Sequence, residues 1–123
     1  MDDPHLNRDV LVALQEVMED EYPMLLDTFL ADSEERLSLL RQQKDAGQLM
    51  ETAHSFKGSS SNMGAVRLAD LCHELEHCAK EQHPLAELEK LIGEIDREFA
   101  VVRPLYEAER QRSHYEKATV RRF

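Results

Sequence analysis

Leu49-Met50-Glu51-Thr52-Ala53-His54-Ser55-Phe56-Lys57-Gly58-Ser59-Ser60-Ser61-Asn62-Met63-Gly64-Ala65 is the stretch on which the fold turns. Leu49, Ala53, Phe56 and Ser60 recur in it at intervals of 4, 3 and 4. That is the period of one helix face, and it excludes a strand, whose period is two. A helix is therefore predicted from about Gln48 to Asn62, closed by Met63-Gly64. Downstream, Leu68, Cys72, Leu75 and Ala79 repeat the interval and predict a helix from about Ala65 to Glu81, broken by Gln82-His83-Pro84. Leu88, Ile92, Ile95, Phe99 and Val102 then mark a further helix. Pro104 is expected to end or kink it, with helix resuming to about Arg112. Upstream, Tyr22-Pro23 opens a helix with a stripe of Met24, Leu25, Phe29, Leu37 and Leu40, which Gly47 is expected to end. Asn7 or Asp9 caps a short first helix with Val10, Leu11, Leu14 and Val17 on its apolar side.

Four long amphipathic helices joined by short connections make an all-α fold, an antiparallel four-helix bundle with a short additional N-terminal helix. The chain has 123 residues, enough for one domain but not for a catalytic and a regulatory one together. The bundle is expected over residues 1–105, followed by a charged, basic extension over 106–123, helical or frayed. Residues 103–123 hold six Lys/Arg against three Glu, whereas the whole chain carries −10. A body this acidic is repelled by nucleic acid and by anionic lipid, so neither is an expected partner. No apolar run approaches the ~20 residues of a membrane span. The start, Met1-Asp2-Asp3-Pro4, has no basic or apolar leader character, and a cytoplasmic setting is expected. Cys72 and Cys78 point about 120° apart on a helix, which favours reduced thiols over a disulfide.

The helix that decides the fold also carries the chemistry. With Leu49, Ala53 and Phe56 inward, His54 points about 130° away from the core, and Lys57, Gly58 and Ser61 share its outer side. His54 with Lys57 and with Gly58 are neighbours one turn apart. An imidazole, an ammonium and a bare patch of backbone are thus presented together. A neutral imidazole nitrogen is a good nucleophile for phosphorus near neutral pH. Lys57 can offset the charge of the phosphohistidine formed, and Gly58 lets a second protein approach closely. A mid-helix glycine costs roughly 0.5–1 kcal/mol against alanine, and a steric requirement would explain it. The plain alternative is a solvated face with an ordinary surface histidine.

Ala53-His54-Ser55-Phe56-Lys57-Gly58-Ser59-Ser60, followed by Met63-Gly64-Ala65, resembles the signature of histidine phosphotransfer (HPt) domains of the stand-alone bacterial type. The helix pattern fits that family over roughly residues 8–103. The resemblance implies that His54 is the phosphoacceptor, with Lys57 and Gly58 shaping its surroundings. In some relatives a glutamine on the next helix supports the imidazole. Glu76 stands at that place here and would hold the ring differently or oppose phosphate charge. Lys80 corresponds to a basic residue one turn later. The implied function is a relay step in two-component signal transduction. His54 accepts a phosphoryl group from a receiver-domain aspartate of a hybrid sensor kinase and passes it to a response-regulator aspartate. The partners are then those receiver domains, and the protein is a monomer without kinase activity or a cofactor of its own. Mg²⁺ belongs to the partner. The sequence offers no Gly-rich phosphate loop, in keeping with that reading.

One motif competes. His73-Glu74-Leu75-Glu76-His77 fits the zinc-protease pattern H-E-x-x-H, and His83 follows six residues later. Lys80 stands where such enzymes use a turning glycine, and no strands exist to line a cleft. Adventitious Zn²⁺ or Ni²⁺ binding by His73 and His77 is the milder version, and a solvated helix edge the plainest; no metal site is expected. A third reading is a helical adaptor that binds through one face without chemistry.

Overall fold

The computed structural model describes residues 3–120, with side chains to residue 113. It contains α1 (Arg8–Met18), a 3-10 turn (Glu19–Glu21), α2 (Tyr22–Gln42), α3 (Ala46–Asn62), α4 (Val66–Lys80) and α5 (Leu85–Val120). No strand occurs among the described residues. Helices α2 to α5 form the four-helix bundle, and α1 is the short additional helix.

The stripes of α3, α4 and α5 lie in the core as expected. Leu49, Ala53, Phe56 and Ser60 are fully buried, as are Leu68, Cys72 and Leu75, with Ala79 close behind. Leu88, Ile92, Ile95, Phe99 and Val102 face them. The first two helices differ at their ends. Met24 and Val17 point into water, and Tyr22, Leu26 and Ser33 take the inward places on α2. Asn7 is the cap of α1, its side chain accepting from Asp9 N at 3.1 Å.

Gly47 does not end α2, which stops at Gln42. It sits instead in the first turn of α3, where Asp45 is the N-cap and accepts from Gln48 N at 3.0 Å. A Cβ on Gly47 would stand 3.0 Å from that capping carboxylate, so the glycine leaves room for the cap. Pro104 does not end α5 either, and the helix crosses residue 105 without a break. Pro104 and Ala100, whose carbonyl loses its donor, are both exposed, so water can serve that carbonyl.

The chain beyond Pro104 enters the interior. Tyr106 is fully buried, packs edge-on against Phe29 with ring centroids 5.0 Å apart, and donates its hydroxyl to Met63 O at 2.6 Å. Glu109 and Ser113 are buried as well. Glu109 accepts from Tyr22 Oη at 2.8 Å and from Arg112 Nε at 3.1 Å, and Arg112 also reaches Gln15 on α1. Outside this knot, Asp27–Arg110 (2.7 Å), Glu34–Arg103 (2.6 Å) and Arg41–Asp96 pair α2 with α5. The pairs step by seven residues in opposite directions on the two helices, as an antiparallel seam requires. Half-exposed pairs contribute only about 0–1 kcal/mol each, so they set register more than stability. Three arginines of the basic segment are thus matched internally, while Lys117, Arg121 and Arg122 lie outside the side chains described.

Gly64 closes α3 with φ +77, and its carbonyl accepts from Asn7 N at 2.7 Å. A Cβ there would meet Asn7 O at 2.9 Å. Gly64→Ala should therefore lose about 1–3 kcal/mol of stability in urea unfolding. Gly58→Ala should gain about 0.5–1 kcal/mol, because Gly58 is helical and a Cβ there meets nothing within 4 Å. Equal losses at both glycines would contradict the assignment of strain to Gly64 alone.

Burial pushes the Glu109 carboxyl up, but the Arg112 and Tyr22 hydrogen bonds and the charges of Arg112 and Arg8 outweigh it and hold it below 4.5. A folded value below the unfolded one gives stability that is present above the unfolded value and lost as pH falls through the folded one. The stability advantage of wild type over Glu109→Gln should be full above pH 4.5 and shrink below it in urea titrations at successive pH values. A difference that grows on acidification would refute the sign.

Candidate functional site

The rotation of α3 is fixed by its buried stripe, and the outer face follows from it. The His54 side chain is 68% exposed. Gly58 and Ser61 are exposed beside it, and Lys57 is turned partly toward α4. Burial of Cys72, Leu75 and Ala79 fixes α4 likewise and sets Glu76 on the flank that meets α3. The tight turn at Met63-Gly64 makes the two helices antiparallel neighbours, which brings Glu76 level with His54.

Glu76 is the junction of the site. Its Oε2 stands 2.7 Å from His54 Nδ1, and its Oε1 accepts from Lys57 Nζ at 2.7 Å. His73 Nδ1 lies 3.9 Å from Oε1. The Lys57 hydrogen bond, and then that of His54, hold the Glu76 carboxyl below its ordinary range against the opposing effect of burial. An ionised carboxylate only accepts, so His54 Nδ1 carries the hydrogen it faces. In the neutral ring the lone pair is then on Nε2, the nitrogen away from Glu76. In its neutral form the ring offers a positioned nitrogen nucleophile on an exposed helix face. A carboxylate at this place only accepts, whereas an amide could donate or accept.

The other residues singled out in the sequence fall as follows. Ser61 and Gly58 border a shallow groove between α3 and α4 that runs on to Asp70 and His73. Lys80 is exposed in the last turn of α4, one turn beyond Glu76. His73 and His77 are both exposed on α4, and His83 is engaged with Glu87 at 3.0 Å in the following turn. Among the described residues no group of three or more His, Cys, Asp or Glu could hold a metal ion. Cys72 is a free, buried thiol pushed up to about 12 by burial, and Cys78 is free and half-buried. Sequence reasoning missed Arg36 of α2, which donates to Ser55 Oγ at 3.1 Å directly beside His54. Its only sequence signal is a charge near an inward row of α2.

The Hpt domain family matches over residues 24–104. The crystal structure of histidine-containing phosphotransfer protein B (HptB) from Pseudomonas aeruginosa is 58% identical, covers 90% of this chain and 98% of its own, and superposes with a TM-score of 0.86. The phosphorelay protein LuxU of Vibrio vulnificus is 30% identical over 96 residues, which is 75% of this chain and 84% of the relative. The HPT domain of a sensor hybrid histidine kinase from Shewanella shares the fold at 24% identity, with a TM-score of 0.73 over 87% of this chain and 94% of that one. The chain belongs to the Hpt domain family.

Proposed function

We propose that this protein carries a phosphoryl group on His54 Nε2 between aspartates of other proteins in a two-component phosphorelay. The observation that supports it most is the hydrogen bond from His54 Nδ1 to Glu76, which leaves Nε2 outward on an exposed face. Nε2 attacks the phosphorus of a phosphoaspartate. The N–P bond forms, the P–O bond to the aspartate breaks, and the carboxylate leaves with its electron pair. The Nδ1 hydrogen stays on the ring, facing Glu76, which offsets the positive charge gathered by the imidazole. The return step is the same sequence reversed.

The donor is a receiver domain of a hybrid sensor kinase and the acceptor a receiver domain of a response regulator. Mg²⁺ belongs to those domains, and this chain has no kinase centre and no cofactor of its own. Gly58 admits the partner's backbone, with Ser61 at the rim of the approach. Lys57, held by Glu76 in the unphosphorylated protein, stands one turn from His54 and can turn to the phosphoryl oxygens. Lys80 adds positive charge farther along α4. Val12, Val17 and Met24, exposed on α1 and α2, supply apolar docking area. The protein acts as a monomer in the bacterial cytoplasm. No helix among the described residues is long and apolar enough to cross a membrane.

Incubation with a phosphorylated receiver domain and Mg²⁺ should place acid-labile, base-stable label on wild type and none on His54→Gln. Label on both would move the acceptor to another histidine. Glu76→Ala should slow acceptance roughly 10–100-fold, the scale of one hydrogen bond to a charged group. Nitrogen-15 chemical shifts of His54 should report hydrogen on Nδ1 in wild type and a shift toward the Nε2-protonated tautomer in Glu76→Ala. An unchanged tautomer in the variant would remove Glu76 from the mechanism.

A further inference from the structure

Arg36 stands in the middle of α2 and reaches across to α3. Its Nε donates to Ser55 Oγ at 3.1 Å, and its Nη1 lies 3.5 Å from Ser59 Oγ. The Ser59 hydroxyl gives its own hydrogen to Phe56 O at 3.1 Å, so its lone pairs are left for the guanidinium. Ser55 follows His54 in sequence, and Ser59 follows Gly58. On the α3 cylinder the Ser55–Ser59 row lies about 100° to one side of the His54–Gly58 row, and Lys57 about 80° to the other. The histidine row thus runs between two cations.

The two cations are not equivalent. Lys57 is matched by Glu76 at 2.7 Å. Arg36 is held by neutral hydroxyls, and among the described residues no carboxylate forms an ion pair with it. By contrast, Arg8, Arg41, Arg67, Arg103, Arg110 and Arg112 each meet a carboxylate, and Arg97, the other described arginine outside an ion pair, stands on α5 and not on α2 or α3. In a chain of net charge −10, an arginine left without a carboxylate beside the reacting face keeps its charge for an outside group. A carboxylate adds a full opposite charge that the neutral serine hydroxyls lack, so it can displace them from the guanidinium. The planar fork of Arg36 suits a carboxylate bidentately. A divalent cation such as Mg²⁺ beside a phosphoaspartate is held through one or two carboxylates, which makes the pocket acidic.

We propose that Arg36 is a docking residue that takes a carboxylate on the rim of the partner's phosphoaspartate pocket, exchanging Ser55 and Ser59 for it, and so helps select which partners reach His54. This rests on the reading of His54 as phosphoacceptor. Arg36→Ala and Arg36→Gln, the second keeping a donor for Ser55 without the charge, are compared with wild type in transfer from a phosphorylated receiver domain. KM and kcat are measured at low and at physiological salt. Labelling of His54 by phosphoramidate, a small donor that needs no docking, normalises each rate. In both variants KM should rise roughly tenfold at low salt with kcat within about twofold, and the penalty should shrink as salt is added. The ratio of receiver-driven to phosphoramidate-driven labelling should fall by the same factor. An unchanged KM in either variant overturns the proposal. So does an equal fall of both rates, which would make Arg36 a packing residue between α2 and α3. Wild type unlabelled at His54 by either donor would sink the phosphoacceptor reading, and this proposal with it.

Discussion

The rotational phase of α3 is the constraint on which the rest depends. Four consecutive inward positions, Leu49, Ala53, Phe56 and Ser60, are fully buried. Burying a leucine or phenylalanine side chain contributes about 1.5–3 kcal/mol. An ion pair with an exposed member contributes about 0–1 kcal/mol. Apolar packing therefore sets how α3 is turned, and the polar cluster falls into place as a consequence. Rotation by one residue would bury His54 or expose Phe56. α4 obeys the same rule through Leu68, Cys72 and Leu75, which is why Glu76 meets His54 without being needed to hold the helices together.

One carboxylate serves both site donors, and this gives the site two charge states. In the unphosphorylated protein Lys57 and His54 share Glu76. A phosphoryl group on Nε2 brings a compact negative charge and three strong acceptors within a turn of Lys57. The ammonium then has two anions to choose between, and its long stem lets it turn from one to the other. The Glu76 carboxylate faces Nδ1 and not Nε2.

The sequence made α3, α4 and α5 legible because each carries an unbroken apolar stripe over several turns. Where the stripe thinned, the reading slipped. Val17 and Met24 are apolar but stand at helix ends beside the 3-10 turn, where the phase changes and both face water. Gly47 and Pro104 were weighed as breakers from their chemistry alone. The cap at Asp45 and the exposed position of Ala100 accommodate them, and neither shows in a local pattern. The segment from Tyr106 read as a polar tail because its buried residues are Tyr106, Glu109 and Ser113, whose burial depends on Met63, Tyr22 and Arg112 far off in the chain. His54, Lys57 and Gly58 were legible as one face because one helix carries them. The partnership with Glu76 lies 22 residues away and depends on how two helices line up along their axes.

Geometry at the histidine does not by itself mark a reactive site, and this molecule contains the comparison that shows why. His5 Nδ1 stands 2.7 Å from Glu98 Oε2, the same distance as His54 from Glu76, and Arg67 completes the Glu98 pair at 3.3 Å as Lys57 completes the Glu76 pair. The two clusters share a carboxylate, an imidazole and a second cation. Exposure separates them. The Glu98 side chain is 4% exposed and that of His5 30%, against 20% and 68% for Glu76 and His54. Glu98 is buried on α5, and its pairs tie the N-terminal segment and α4 to the bundle. Beside His54 there is Gly58, with open space where a side chain would be. A nucleophile that must reach a phosphorus inside another protein needs that clearance more than it needs an unusual hydrogen bond. The chain carries Gly58, at a cost in helix stability, on the face of His54.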